Sequence, residues 1–309
     1  MPRIASAAAA LLALSLAFPA HASEKLTDYS VQTSGDYSTR GGNEIYGKVA
    51  VGGNVNANAD RIGTRLTKAD GGTPGLIVLG DLNYANSTLS YGDVVYGGAN
   101  KNPRYNPIAT PNGTTYQGKG LAFDAMNAAA ASTSALFKGM ETNGLFTSQW
   151  GTGVLTATTA GLNVFAMTGK EFDSLHQLNF VGKAGDIAVI NIFGSVSDHV
   201  NFNLGNFTVD SVLFNFVDAT RVQSNGINWQ GSILAPNAIV SLEGGSVFGS
   251  VVSKAFESAG ATVRGNSFSH VPSAMAVPEP ASWLMMILGF GLVGLLVRRR
   301  RRRAGIAHA

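Results

Sequence analysis

The chain has 309 residues, with 38 glycines, 13% charged residues and no cysteine, so disulfides and thiol chemistry are excluded. Its formal charge is +3, but the excess sits at the ends. Leaving out Arg3 and Arg298–Arg303 takes Lys+Arg from 22 to 15, and leaving out Glu279 takes Asp+Glu from 19 to 18. The remainder is near −3, which excludes a nucleic-acid reading built on the basic pI of about 9.1.

The first 22 residues read as an export signal. Arg3 is a minimal positive region, Ala7 to Phe18 is a short apolar stretch, and Ala20-His21-Ala22 has the A-x-A form of a cleavage site. Cleavage between Ala22 and Ser23 would start the mature chain at Ser23.

Residues 23–270 suffice for one domain, and most of it reads as β. Short apolar runs recur between Gly and Asn: Lys48-Val49-Ala50-Val51, Leu76-Ile77-Val78-Leu79, Ile187 to Phe193 and Val212-Leu213-Phe214. Several are continuously apolar, which suits strands buried on both faces or stacked inside a coil. Gly231-Ser232-Ile233-Leu234 recurs 18 residues later as Gly249-Ser250-Val251-Val252, and Gly47-Lys48-Val49 and Gly194-Ser195-Val196 echo it. A period near 18 is about one turn of a β-solenoid, whose turns must stack to bury their apolar sides. A β-sandwich is the alternative.

Tyr84, Tyr91, Tyr96, Tyr105 and Tyr116 fall in a stretch rich in Asn and Pro. It reads as a surface excursion, and Tyr91, Tyr96, Tyr105 and Tyr116 form a candidate binding loop for sugar or protein. The competing reading is a loop folded back on the domain. Gly120 to Met140 breaks the β pattern. Its alanines, with Phe123, Met126, Ala130, Phe137 and Met140 near helical spacing and Thr133 on the same face, predict one helix of about five turns against the β body.

The domain resembles the choice-of-anchor A family of bacterial surface proteins, an adhesive domain family. The residues that carry the likeness are Val49-Ala50-Val51-Gly52-Gly53-Asn54, the alanine-rich helix, Leu162-Asn163-Val164-Phe165, Val189 to Gly194, Leu213 to Thr220, and Gly231 to Ala238. The resemblance implies a right-handed β-helix with one long α-helix alongside, related in architecture to ice-binding solenoids. It brings no catalytic residues. Independently of the family, Asn191, Asn215 and Asn237 beside apolar strand residues read as inward side chains stacked at turn corners, and Pro236 as a corner or strand end.

No nucleophile elbow or zinc spacing is present, and His176, His199 and His270 are isolated in sequence. Asp81, Asp93 and Asp186 near glycine-rich strand ends could offer oxygen to Ca²⁺ but read better as turn residues. No catalytic residue, metal or cofactor is expected.

Residues 271–280 form a linker ending in Val277-Pro278-Glu279-Pro280. Residues 281–297 are an uncharged apolar run, long enough for a helix of roughly 25 Å that spans a thinned bilayer core. Residues 298–309 open with six arginines, including Arg298, Arg299 and Arg300, which mark the cytoplasmic side. This order resembles the PEP-CTERM sorting signal of Gram-negative bacteria, in which an exosortase removes the tail. The resemblance implies export across the inner membrane, transient anchoring, and release to the cell surface or extracellular polymer. The combined expectation is a non-catalytic structural or adhesive surface protein, associated with biofilm or exopolysaccharide. An ice- or surface-binding solenoid is the alternative, and a polysaccharide-acting β-helix enzyme the second.

Overall fold

The computed structural model describes residues 23–272 except 71–72, 119–121 and 199. The features expected in residues 1–22 and 273–309, including the cleavage-site Ala20 and Ala22, the Pro-Glu-Pro motif, the apolar tail and the arginine block, lie outside the described residues. Among those described, no helix is long and apolar enough to cross a membrane.

The body is mainly β, and its strands pair almost entirely in parallel. In the largest sheet they follow the order Thr115–Gln117, Asp93–Tyr96, Pro74–Val78, Val49–Val51, Val31–Thr33, Val251–Ala259, Ser232–Glu243, Val212–Phe216, Ile187–Phe193 and Leu162–Thr168. The chain therefore begins in the middle of the stack. It winds outward from Val31 to Gln117, crosses through the helix α1 (Phe123–Gly139), restarts at the opposite end, and winds back until Val251 lies beside Val31. Partners are 18 residues apart where the turns are minimal, as from Val31 to Val49 and from Ile233 to Val251. Insertions stretch others to 27, from Val49 to Leu76, or 25, from Leu162 to Ile187.

The continuous apolar runs are explained by cover on both sides. Val49, Val51, Leu76 and Val78 point into the core, while Ala50 and Ile77 point outward beneath Phe123. Further along, Val189, Leu213, Leu234 and Val252 point outward beneath Ala130 and Phe137. At 17 residues α1 is roughly 25 Å long, enough to bridge about five strand spacings. Its 17 residues make about five turns, as expected for the Gly120 to Met140 stretch. Met126 and Met140 are half-buried, and the fully inserted polar position is Ser134 rather than Thr133, whose hydroxyl bonds back to the Ala129 carbonyl at 2.8 Å.

Two of the three predicted ladder asparagines form a ladder, but not at corners. Asn191 and Asn215 are paired mid-strand and buried under the end of α1. Asn215 Nδ2 donates to Asn191 Oδ1 at 2.7 Å and to the Ser134 carbonyl at 3.1 Å; Asn191 Nδ2 donates to the Phe137 carbonyl at 2.9 Å. They give helix carbonyls near the C-terminal end of α1 a side-chain donor from the sheet, and the Phe137 carbonyl also takes the Met140 amide at 3.3 Å. Asn237 is exposed, because Pro236 breaks the ladder there: the register shifts between Ala235 and Ile239.

The corners themselves are stacked by acidic and amide side chains of consecutive turns. Asp36 Oδ1 accepts the Asn54 amide at 2.7 Å, Asn54 Oδ1 accepts the Asp81 amide at 2.9 Å, and Asp81 Oδ1 accepts the Ala99 amide at 2.7 Å. Each of these acceptors follows a glycine. A Cβ on Gly53 would lie 2.6 Å from the Gly35 carbonyl carbon, so close stacking of turns demands glycine there.

The Tyr/Asn/Pro stretch is not an excursion. Residues 98–114 form a last, irregular turn: Leu82 N donates to the Ala99 carbonyl, Asn86 N to the Asn106 carbonyl, Leu89 N to the Ala109 carbonyl, and Val94 N to the Thr114 carbonyl. This turn covers the end of the stack.

Candidate binding face

Leaving Pro236, the strand continues onto a second side of the stack. Seven parallel strands lie side by side there, and their outward residues form one register row: Ser197, Gln223, Ser241, Glu257, Ser38, Asn56 and Asn83. Six spacings make the row roughly 29 Å long. The strict alternation comes from the sequence. In Val55-Asn56-Ala57-Asn58 the apolar residues are buried and the asparagines exposed, and in Leu82-Asn83-Tyr84-Ala85 Leu82 and Tyr84 are buried. Asn83 Nδ2 donates to Asn56 Oδ1 at 3.0 Å, and Asn86 Nδ2 to Asn58 Oδ1 at 2.7 Å, so the surface carries its own amide ladders.

In the middle of this face is a shallow depression of about 350 Å³, lined by Ser38, Arg40, Asn56, Arg221, Glu243 and Glu257 among others. Arg40 pairs with Glu243, and Arg221 Nη2 with Glu257 Oε2 at 2.9 Å; all four side chains are substantially exposed. The depression thus presents two carboxylates and two guanidiniums as two ion pairs, flanked by hydroxyls and amides. Such a surface offers planar hydrogen-bond donors and acceptors along a line.

Beneath the face lies a buried acid. Asp60 accepts hydrogen bonds from the Thr39 hydroxyl at 2.6 Å, Asn43 Nδ2 at 2.7 Å and the Tyr84 hydroxyl at 3.0 Å. Burial raises its pKa from the ordinary carboxylate range, and the bonds from Thr39, Asn43 and Tyr84 offset part of that rise. The same burial pushes the Tyr37 and Tyr84 hydroxyls well above theirs.

The predicted tyrosine loop is not gathered into one site. Tyr96 is half-buried and packs on the core, whereas Tyr116, paired in register with Val95, faces the opposite side of the sheet. Tyr105 is 79% exposed on the last turn, Tyr91 is half-buried, and none of the four rings pairs with another. Ser23, the predicted mature start, opens a two-residue strand. Asp93 and Asp186 serve as turn acceptors: Asp93 Oδ1 takes the Thr114 amide at 2.8 Å and Asp186 Oδ2 the Lys183 amide at 2.7 Å. Among the described residues no group of three acidic or imidazole side chains could hold a metal ion. Arg40, Arg221, Glu243 and Glu257 escaped sequence reasoning. The one usable signal was the 36-residue separation of Arg221 and Glu257, twice the repeat.

A long polar face on stacked parallel strands is the geometry of an extended contact surface. Residues 22–264 match the family model described as "Putative Ice-binding-like adhesive domain", and the chain belongs to that family. Residues 276–302 match the PEP-CTERM protein-sorting motif. No curated protein matches the chain. Among solved structures it is similar to a glycosylated ice-binding protein from an Arctic yeast, at 15% identity, covering 83% of this chain and 98% of that one, with a TM-score of 0.40. It is also similar to an ice-binding protein of the Antarctic ascomycete Antarctomyces psychrotrophicus (10% identity, 81% and 97% coverage, TM-score 0.34). A third is an ice-binding protein from an Antarctic biological consortium (15%, 77% and 90%, TM-score 0.38).

Proposed function

We propose that this chain is an exosortase-sorted surface protein that adheres, without catalysis, to extracellular polysaccharide. The sorting motif supports export and removal of the tail, with 281–297 as the transient membrane helix. The observation that carries the adhesive reading is the 29 Å-scale polar row with its Arg–Glu depression. Pyranose hydroxyls are met by paired acceptors and donors, and affinity accumulates over many weak contacts along a chain. We read the stacked turns as a right-handed β-helix, the hand that parallel crossovers overwhelmingly adopt.

The ice-binding alternative has less support, because the outward rows carry Ser, Gln, Asn and charged pairs where a regular threonine array would be needed. The enzyme alternative draws on the two carboxylates of the depression. Glycoside cleavage places two carboxyl groups against the scissile bond, and here each is engaged by an arginine.

The test has two parts. Intact mass is measured on protein recovered from its own host, in membrane and extracellular fractions, and polysaccharide incubated with it is assayed for new reducing ends. A chain lacking Ser282 onward outside the inner membrane, with no reducing ends released, supports the proposal. A chain keeping Arg298–Arg303 in the inner membrane, or steady release of reducing ends, overturns it.

A further inference from the structure

A second groove, of about 510 Å³, runs along a different corner of the stack, and its walls are built from cations and aromatic rings. The Arg264 guanidinium carbon lies 4.0 Å from the Phe248 ring centroid on one side and 5.8 Å from that of Tyr46 on the other. Arg65 lies 5.0 Å from the same Tyr46 ring. Four consecutive turns thus contribute an alternating ladder of ring, guanidinium, ring, guanidinium. Each member is held by the backbone: Phe248 N bonds the Trp229 carbonyl, Arg264 N the Val247 carbonyl, Tyr46 N the Val263 carbonyl, and Arg65 N the Tyr46 carbonyl. Lys48 and Tyr29 also line the groove, beside Ser30, Leu66 and Ile77.

Cations without a carboxylate partner also occur elsewhere on the surface, Lys170 and Lys183 among them, but here three share one groove. Arg40, Arg61, Lys101 and Arg221 each pair with a carboxylate, whereas among the described residues Lys48, Arg65 and Arg264 have none within ion-pair distance. Arg264 Nε is buried and has no hydrogen-bond partner. Two acids do border the groove. Asp70 is engaged by its own loop, accepting the Thr67 amide at 2.8 Å and the Thr67 hydroxyl at 3.1 Å, and Asp28 stands exposed on the rim. Burial and the neighbouring Asp28 push the Tyr29 hydroxyl upward, so it stays a neutral donor.

We propose that this groove is a subsite for an acidic sugar residue, a carboxylated pyranose within an anionic polysaccharide. The carboxylate would be taken by the guanidinium edges of Arg264 and Arg65 and by Lys48, while Tyr46 and Tyr29 present ring and hydroxyl to the sugar. Stacking fixes the guanidinium planes against the rings, so little side-chain freedom is lost on binding. The proposal rests on the polysaccharide-adhesion reading but uses a separate surface, which makes the two distinguishable.

The experiment measures binding of the purified full chain to polygalacturonate, to neutral dextran, to dextran sulfate, to inorganic phosphate and to duplex DNA at about 0.15 M salt, where exposed charges are screened beyond about 8 Å. Expected is binding to polygalacturonate that R264Q weakens about tenfold or more, the loss of one charge-assisted contact. R65Q, which alters an exposed side chain and keeps the fold testable, and K48Q should each weaken it several-fold. R61Q, on a cation already paired with Glu44, should leave it unchanged, and so should every variant the binding of neutral dextran. Equal binding of polygalacturonate by wild type, R65Q and K48Q overturns the subsite. So does equal or tighter retention of dextran sulfate, phosphate or DNA, which would make the groove a general anion site. Loss of dextran binding with polygalacturonate binding intact would contradict the adhesive face and spare the groove.

Discussion

Replacing Asn215 with alanine tests the join between α1 and the sheet. Asn215 is fully buried; it accepts the Ser134 hydroxyl at 2.7 Å and donates to the Ser134 carbonyl at 3.1 Å and to Asn191 Oδ1 at 2.7 Å. Alanine removes the carboxamide, strands Asn191 Oδ1 without a donor, and opens a void beneath the helix. The Ser134 hydroxyl can turn back to a helix carbonyl, so the stranded acceptor is the main loss. A buried unsatisfied group costs about 1–3 kcal/mol, and the void about 1–2 kcal/mol more. The expected destabilisation of about 2–5 kcal/mol is a large share of the roughly 5–15 kcal/mol of a whole domain. Urea unfolding followed by fluorescence of the buried Trp229 measures it. The triple variant S134A/N191V/N215L removes the polar groups together, beside the already apolar Leu234 and Val252, and should return to within about 1–2 kcal/mol of wild type. A loss below about 1 kcal/mol for Asn215→Ala, or a triple variant far worse than the single one, refutes the reasoning.

Other outcomes follow from the same structure. Asp60 has a raised folded-state pKa, so the stability it contributes is present below its unfolded pKa and is lost as pH rises through the folded one. Wild type should therefore gain stability relative to D60N between pH 7 and about 4.5 in paired urea titrations; a flat or reversed difference would show that burial is not the dominant influence. Gly53→Ala drives a Cβ into the backbone of the preceding turn and should cost about 1–3 kcal/mol. Gly139→Ala, at the end of α1 with nothing within 4 Å, should be neutral or stabilising by about 0.5–1 kcal/mol. Thermal melts of the two separate close stacking from simple glycine flexibility. R221A/E257A removes an exposed pair and should change stability by no more than about 1 kcal/mol.

Local features of the fold were legible in the sequence, and non-local ones were not. The 18-residue step between Gly231 and Gly249 is real: the Gly249 amide donates to the Gly231 carbonyl at 3.1 Å. The repeat fades elsewhere because insertions lengthen turns without disturbing the strands they join, as between Val49 and Leu76. The pairing of Val31 with Val251 closes the stack across the whole domain, and no local pattern encodes it. Asn191 and Asn215 signalled a ladder by their place in apolar runs. Their position under a helix depends on which side of the strand α1 covers, and the same cue misled at Asn237, just past the Pro236 bend. The tyrosine stretch carries turn chemistry and yet forms a last layer of the stack, held by isolated backbone bridges such as Thr88 with Ala109. The Arg–Glu depression joins residues from separate turns, Arg40 with Glu243 and Arg221 with Glu257, so only the finished stack assembles it.

The most direct measurement is a binding isotherm for a neutral oligosaccharide long enough to cover the seven-strand face, taken with wild type and with N56A/R221A/E257A. Adhesion through this face predicts that wild type binds, that the variant binds at least about tenfold more weakly, a difference of about 1.4 kcal/mol, and that both melt at nearly the same temperature. Equal affinity in the two proteins would contradict it.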